Sequence, residues 1–268
     1  MLSVLLAVPV SVGLLIWILR MKQYNPFPKF TFVKLLIAGA IALLLSGIIT
    51  IIGGIINLLI QIGPEQLKLM TDAESAVKIL KEISEAAKVI TPERMLMGFI
   101  RTFILIGFVE EFLKFICAKF VMRKEGVVYT WMDALLCFAV VAVSFQLFED
   151  MGYSSGSIVL AIFRALTPFH FTFAVFMGYF YGLGKVKGNG FYTILALVVP
   201  ALIHTLYDFS ISLLQRDDNF IFLNLGMNAV MLVLTVLAVL KLRKWHREGT
   251  LDIFILSTEK TPFSIEQG

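Results

Sequence analysis

Seven apolar runs dominate this chain, at roughly 3–19, 33–62, 95–122, 131–151, 158–184, 191–214 and 220–240. Coiled as a helix, each is long enough to cross about 30 Å of hydrocarbon, which takes ~20 residues. Only 16% of the residues are charged, against about a quarter in a soluble domain. One globular core could not enclose so many Leu, Ile, Val and Phe side chains, but a bilayer can surround them. Inside a bilayer every backbone N–H and C=O must be satisfied within the chain, which makes helices the natural spanning form. The expected fold class is therefore all-α, a polytopic transmembrane helical bundle of about seven spans.

Lys and Arg orient the bundle. Arg20, Lys22, Lys29 and Lys34 follow the first run, and Lys119, Arg123 and Lys124 follow the third. Lys185 and Lys187 follow the fifth, and Lys241, Arg243, Lys244 and Arg247 follow the seventh. The intervening loops carry no basic excess, so the basic ends fall on one side, the cytoplasm. The N-terminus is then outside and the C-terminus inside, as expected for a multi-pass protein of a bacterial or archaeal cell membrane. The net charge of +4 and pI near 9.0 come from these clusters and do not form a nucleic-acid patch. No basic residue precedes Arg20, so the first run reads as a retained helix rather than a cleaved signal. Cys117 and Cys137 lie within apolar runs without metal-ligand spacing, as buried thiols would.

Five stretches organise the chain. Residues 1–62 hold two transmembrane helices, 63–94 an external loop, 95–215 the core, 216–247 a last helix with its basic end, and 248–268 a cytoplasmic tail. The run 33–62 is overlong and contains Gly53-Gly54, which predicts a tilt or kink. In the loop, Ala73, Val77, Leu80, Ile83, Ala87 and Ile90 recur at helical spacing. They predict an amphipathic helix, either a lid or docking element or a helix lying on the bilayer. Thr71 with Glu74 has the form of a capping box, and Pro92 after Thr91 suits the start of the next helix.

Ionisable residues inside spans cost a few kcal/mol each even on mild scales, and persist where they pair, line a cavity or work. The third run holds Glu110, Glu111 and Lys114; the fourth ends on Glu149 and Asp150; the fifth holds Arg164 and His170; the sixth holds His204 and Asp208. Counted from the cytoplasmic ends at 1.5 Å per residue, Glu110 lies ~18 Å up, His204 ~20, His170 ~21, Asp208 ~26 and Glu149 ~27 Å. The acids and imidazoles of four helices thus share one layer in the outer half of the membrane. Glu110 and Lys114 are four apart, as are His204 and Asp208, so each pair shares a helix face. Phe145 and Glu149 share a face as well. Taken singly, each pair can be read as a structural clamp, and Arg164 can snorkel or counter a carboxylate. Together the carboxylates outnumber the bases that would neutralise them.

These motifs, in this order, resemble the PrsW family of membrane-embedded proteases, with the pattern E-E-x-x-K, F-x-x-x-E, a mid-helix His, then H-x-x-x-D. Here they are EEFLK at 110–114, FQLFE at 145–149, His170 in TPFHFTFAVFMGYFYGLG, and HTLYD at 204–208. Gly178-Tyr179 and the pair Gly182/Gly184 fit too. More distantly the pattern resembles the CAAX-protease and bacteriocin-processing superfamily. Ser144 stands where Gly is common in the family, and Asp150 where an amide is common. The resemblance implies hydrolysis of a peptide bond in a single-span membrane protein, such as an anti-sigma factor, on its outer side.

Two chemistries fit the residues. In one, Glu110 or Glu111 is general base on a water, and His204 or His170 stabilises the oxyanion. In the other, His170, His204 and Glu149 hold Zn2+, leaving a position for water. Intramembrane acids also serve ion-coupled transporters, and a non-catalytic scaffold for single-span partners is a further alternative. No paired repeat of the transporter type is visible.

Overall fold

The computed structural model describes residues 2–21, 29–125, 130–152 and 167–248. The helices are α1 (Leu2–Met21), α2 (Lys29–Leu69), α3 (Ala73–Lys88), α4 (Pro92–Thr102), α5 (Phe108–Glu125), α6 (Trp131–Gly152), α7 (Phe169–Lys187), α8 (Phe191–Leu214) and α9 (Ile221–Glu248). A π turn, Phe103–Gly107, joins α4 to α5, and a 3₁₀ turn, Asp218–Phe220, leads into α9. The fold is all-helical, as the apolar runs predict.

Lys29–Leu69, Trp131–Met151, Phe191–Leu214 and Asp218–Glu248 are long and apolar enough to cross a membrane, and Val8–Met21 is a shorter apolar helix. The chain is a membrane protein. The predicted runs 131–151 and 191–214 coincide with α6 and α8, whereas the last helix continues through the basic stretch to Glu248. The described part of the fifth run begins at Thr167. Arg164 and the tail 249–268 lie outside the described residues.

Helix α6 is the axis of the bundle. From Met132 to Val143 almost every apolar side chain is fully buried, because α1, α2, α5 and α7 pack around it. Phe115 of α5 stacks on Phe138 of α6 at 5.4 Å, and Tyr181 of α7 meets both rings edge-on. Small residues allow close approach, as at other membrane helix interfaces. A Cβ on Gly178 would lie 2.5 Å from Leu135 Cα, and one on Gly39 2.5 Å from the Val141 carbonyl. Ser144 Oγ donates to the Leu36 carbonyl across the same α2–α6 seam at 2.7 Å. Cys137 is buried and Cys117 half-buried, both as thiols.

Three local predictions are corrected. The break in α2 is at Gly63 (φ 69°, ψ 165°), just before Pro64, rather than at Gly53-Gly54. Only glycine takes that positive φ without strain, and Pro64 has no N–H to continue the ladder. The capping box of α3 is Asp72 with Ser75, one residue later than Thr71 with Glu74. Ser75 N–H donates to Asp72 Oδ1 (2.8 Å) and Asp72 N–H to Ser75 Oγ (3.2 Å). The Ser75 backbone N–H, more than any other group, holds the Asp72 carboxyl below its ordinary pKa. The amphipathic α3 does form, but it turns Ile79 and Ile83 inward and leaves Val77 and Leu80 exposed. Thr91 caps α4 with Pro92 at its first position, as expected.

Candidate active site

The π turn sets where the two glutamates stand. Its C-terminal residue, Gly107, lies against α8. A Cβ there would run into Thr205 Oγ1 and come within 2.7 Å of the Ala201 carbonyl. The start of α5 is thereby pressed onto the turn of α8 that carries His204. Glu110 and Glu111 follow within one turn.

The six residues singled out by depth and spacing form one cluster. Glu110 and Glu111 come from α5, Glu149 from α6, His170 from α7, and His204 and Asp208 from α8. The two imidazole centroids are 5.1 Å apart. Glu111, 1% exposed, is the hub. Its Oε1 lies 2.8 Å from Lys114 Nζ, 3.1 Å from His204 Nδ1 and 3.7 Å from His170 Nδ1. Lys114, 2% exposed, also lies 3.6 Å from Glu110 Oε2 and 2.7 Å from His170 Nδ1. Its ammonium sits 3.9 Å above the Phe145 ring, which flanks His170 at 5.0 Å. Of the three positions expected to support the centre, Lys114 and Phe145 touch it, and Arg164 lies outside the described residues.

Proton positions follow from partner chemistry. An ammonium can only donate, so His170 Nδ1 accepts from Lys114. Its Nε2–H then donates to Glu149 Oε2 at 2.9 Å. His204 faces carboxylates at both nitrogens, Glu111 at Nδ1 (3.1 Å) and Asp208 at Nε2 (3.2 Å). Each nitrogen thus has a carboxylate acceptor within hydrogen-bond reach. Phe173 stacks on the His204 ring at 4.9 Å and fixes its plane.

Gln146 was not among the expected site residues. It is buried; its Oε1 accepts from His170 N–H (3.3 Å), and its Nε2 donates to Asp150 Oδ2 (3.4 Å) on its own helix. The only sign of it in the sequence is an amide directly after Phe145 in an apolar run. Gln146, Glu149, His170, His204, Tyr207 and Asp208 help line a cavity of about 10 Å³, room for about one water.

The donor set suits a divalent cation. One ligand atom each from Glu110, His170 and His204 lie within 4.8 Å of one another. Glu110 Oε2 and Glu111 Oε2 are buried with no hydrogen-bond partner among the described residues. Two imidazoles with a carboxylate are a common three-ligand set for catalytic zinc. The carboxylate in this trio is Glu110. Glu149, the acid expected in that place, is engaged instead by His170 Nε2.

Comparison with known proteins agrees with this geometry. Residues 28–240 match the family described as PrsW family intramembrane metalloprotease. A "Protease PrsW" of Halalkalibacterium halodurans is 32% identical over 149 residues, covering 54% of this chain and 67% of that protein. One from Shouchella clausii is 28% identical over 152 residues, 55% of this chain and 68% of that protein. One from Clostridioides difficile is 29% identical over 126 residues, 43% and 53% respectively. No solved structure gives a significant match.

Proposed function

Since the chain belongs to the PrsW family of intramembrane proteases, we propose that it is a metal-dependent endopeptidase whose ion is held by Glu110, His170 and His204. The convergence of those three donors within 4.8 Å carries this reading. To bind zinc there, His170 would give up its contact with Lys114 or with Glu149, and His204 would offer a deprotonated nitrogen. The ion would polarise the scissile carbonyl and acidify a water. The remaining residues orient groups and move protons. Glu111 accepts from His204 Nδ1–H and so aims the other nitrogen toward Glu110 and Asp208, the carboxylate–histidine pairing typical of metal sites. Glu149 and Asp208 line the one-water cavity and would take the proton a water gives up. The Lys114 ammonium offsets part of the carboxylate charge.

One observation favours a second reading. Lys114 already places a cation between Glu111 and His170, which would stabilise negative charge developing at the centre of a metal-free glutamate mechanism.

The assay is cleavage of labelled, membrane-anchored peptides by the purified full chain in detergent. Cleavage should occur, a chelator should abolish it, and added zinc should restore it. Full activity in a preparation shown to be metal-free would leave the glutamate mechanism alone. Failure of the metal-loaded protein on every anchored peptide would overturn the protease reading.

The proposed substrate is a single-span membrane protein, such as an anti-sigma factor, cut in or just outside the outer half of the bilayer to begin regulated proteolysis. The common depth of the cluster supports that placement. The proposed topology is seven spans in the cell membrane, N-terminus outside and C-terminus inside. Its support is the basic clusters at the C-terminal ends of α1, α5, α7 and α9. Reporter fusions after residues 28, 125 and 187 should read cytoplasmic and one after residue 75 external; a cytoplasmic reading at 75 would sink the topology.

A further inference from the structure

A second built feature lies between the C-terminal ends of α1 and α9. Trp17, Arg20, Leu240, Arg243, His246 and Arg247 line a cleft of about 390 Å³, within the size range of small-molecule sites. Arg20 comes from one helix and Arg243 and Arg247 from another, more than 200 residues on, yet all face the same hollow. Arg243 Cζ lies 5.9 Å from the Trp17 ring centroid, and the same indole meets Phe171 at 6.0 Å. Trp17 thus forms an apolar wall under a basic rim.

Four other cations at this end are lysines outside the cleft. Lys119 rests over Phe115, Lys124 over Phe120, Lys185 over Tyr181 and Lys187 over Tyr192. The nearby carboxylate of Glu248 is taken by Lys244 at 3.5 Å. Among the described residues no carboxylate pairs with Arg20, Arg243 or Arg247. Guanidinium forks match phosphate oxygens two at a time, which lysine cannot do. Trp17, one turn before the end of α1, sits deeper than the arginines, where acyl chains meet the headgroups. Concave basic pockets at that level on the cytoplasmic side suit anionic lipid headgroups.

We propose that this cleft binds the phosphate of an anionic phospholipid, with Arg20, Arg243 and Arg247 as ligands and Trp17 against the glycerol and upper acyl chain. The site shares no lining residue with the catalytic cavity and does not depend on the protease reading.

The test uses the purified full chain in detergent, with retained lipid counted by native mass spectrometry and the melting temperature followed in parallel. The probes are dioleoylphosphatidylglycerol, dioleoylphosphatidylcholine and inorganic phosphate. Phosphatidylglycerol should be retained and should raise the melting temperature, and neither of the others should. Replacing Arg20, Arg243 and Arg247 together by Gln should weaken phosphatidylglycerol binding roughly tenfold or more. Replacing Lys119, Lys124 and Lys185 by Gln removes equal charge from the same end and should leave binding intact. Arg243→Lys keeps the charge but loses the fork, and should weaken binding several-fold even if the triple variant fails to fold. Equal retention of phosphatidylcholine, equal loss in the lysine variant, unchanged binding in Arg243→Lys, or full stabilisation by phosphate alone would each overturn the site.

Discussion

Glu110→Gln is expected to leave a folded, inserted protein that cleaves its substrate at least 100-fold more slowly. The amide has nearly the shape of the carboxylate and still hydrogen-bonds, and Glu110 Oε2 has no hydrogen-bond partner to lose. Its nearest cation, Lys114 Nζ at 3.6 Å, keeps Glu111 at 2.8 Å. The damage should therefore be chemical rather than structural. As a general base, Glu110 would account for about 10²–10⁴-fold in rate. As a metal ligand, its replacement should also lower the metal content of the purified protein. Rate and metal content measured on one preparation separate the two chemistries. Loss of both fits the metal reading, and loss of rate alone the glutamate one. Cleavage at the wild-type rate would remove Glu110 from the centre altogether.

The second large effect concerns stability. Lys114→Met should destabilise the protein by about 3–5 kcal/mol, the usual result of leaving one member of a buried ion pair without the other. Lys114 and Glu111 are 2% and 1% exposed. Without the ammonium, Glu111 keeps only imidazole partners, and His170 Nδ1 loses its donor. Adding Glu111→Gln to Lys114→Met should recover part of the loss, because removing both charges costs less than stranding one. Cleavage should stay low in the double variant, since the group orienting His204 is gone. Thermal unfolding of the two single variants and the double variant in one detergent measures the coupling. Additive losses would mean that the pair is not held as described.

Where the outcome depends on apolar length or helical spacing, the sequence is sufficient. The runs 131–151 and 191–214 are bounded by polar or Gly residues and appear as α6 and α8. His204 with Asp208, and Glu110 with Lys114, meet because four residues make about one turn. Features that depend on contacts between helices were not legible. Nothing in FILIG marks a π turn; its place depends on Gly107 meeting Thr205 and Ala201. The inward face of α3 is Ile79 and Ile83 because packing on α2 overrides its strongest apolar stripe. Gln146 looks like any lone amide in an apolar run until His170 N–H is seen to donate to it.

The π turn between α4 and α5 also constrains how this segment can vary. Phe108 N–H reaches back to the Phe103 carbonyl, so the turn holds one residue more than an α turn. Each residue advances a helix by about 100°. An α-helix takes up one extra residue as such a turn, so deleting one residue before Gly107 would let the segment close as an α turn and leave Glu110 and Glu111 on the face that meets His204. One further residue would swing both glutamates off that face. Ile104, 53% exposed, accepts other apolar side chains. Single-codon deletions will pass in this segment, and single-codon insertions will not.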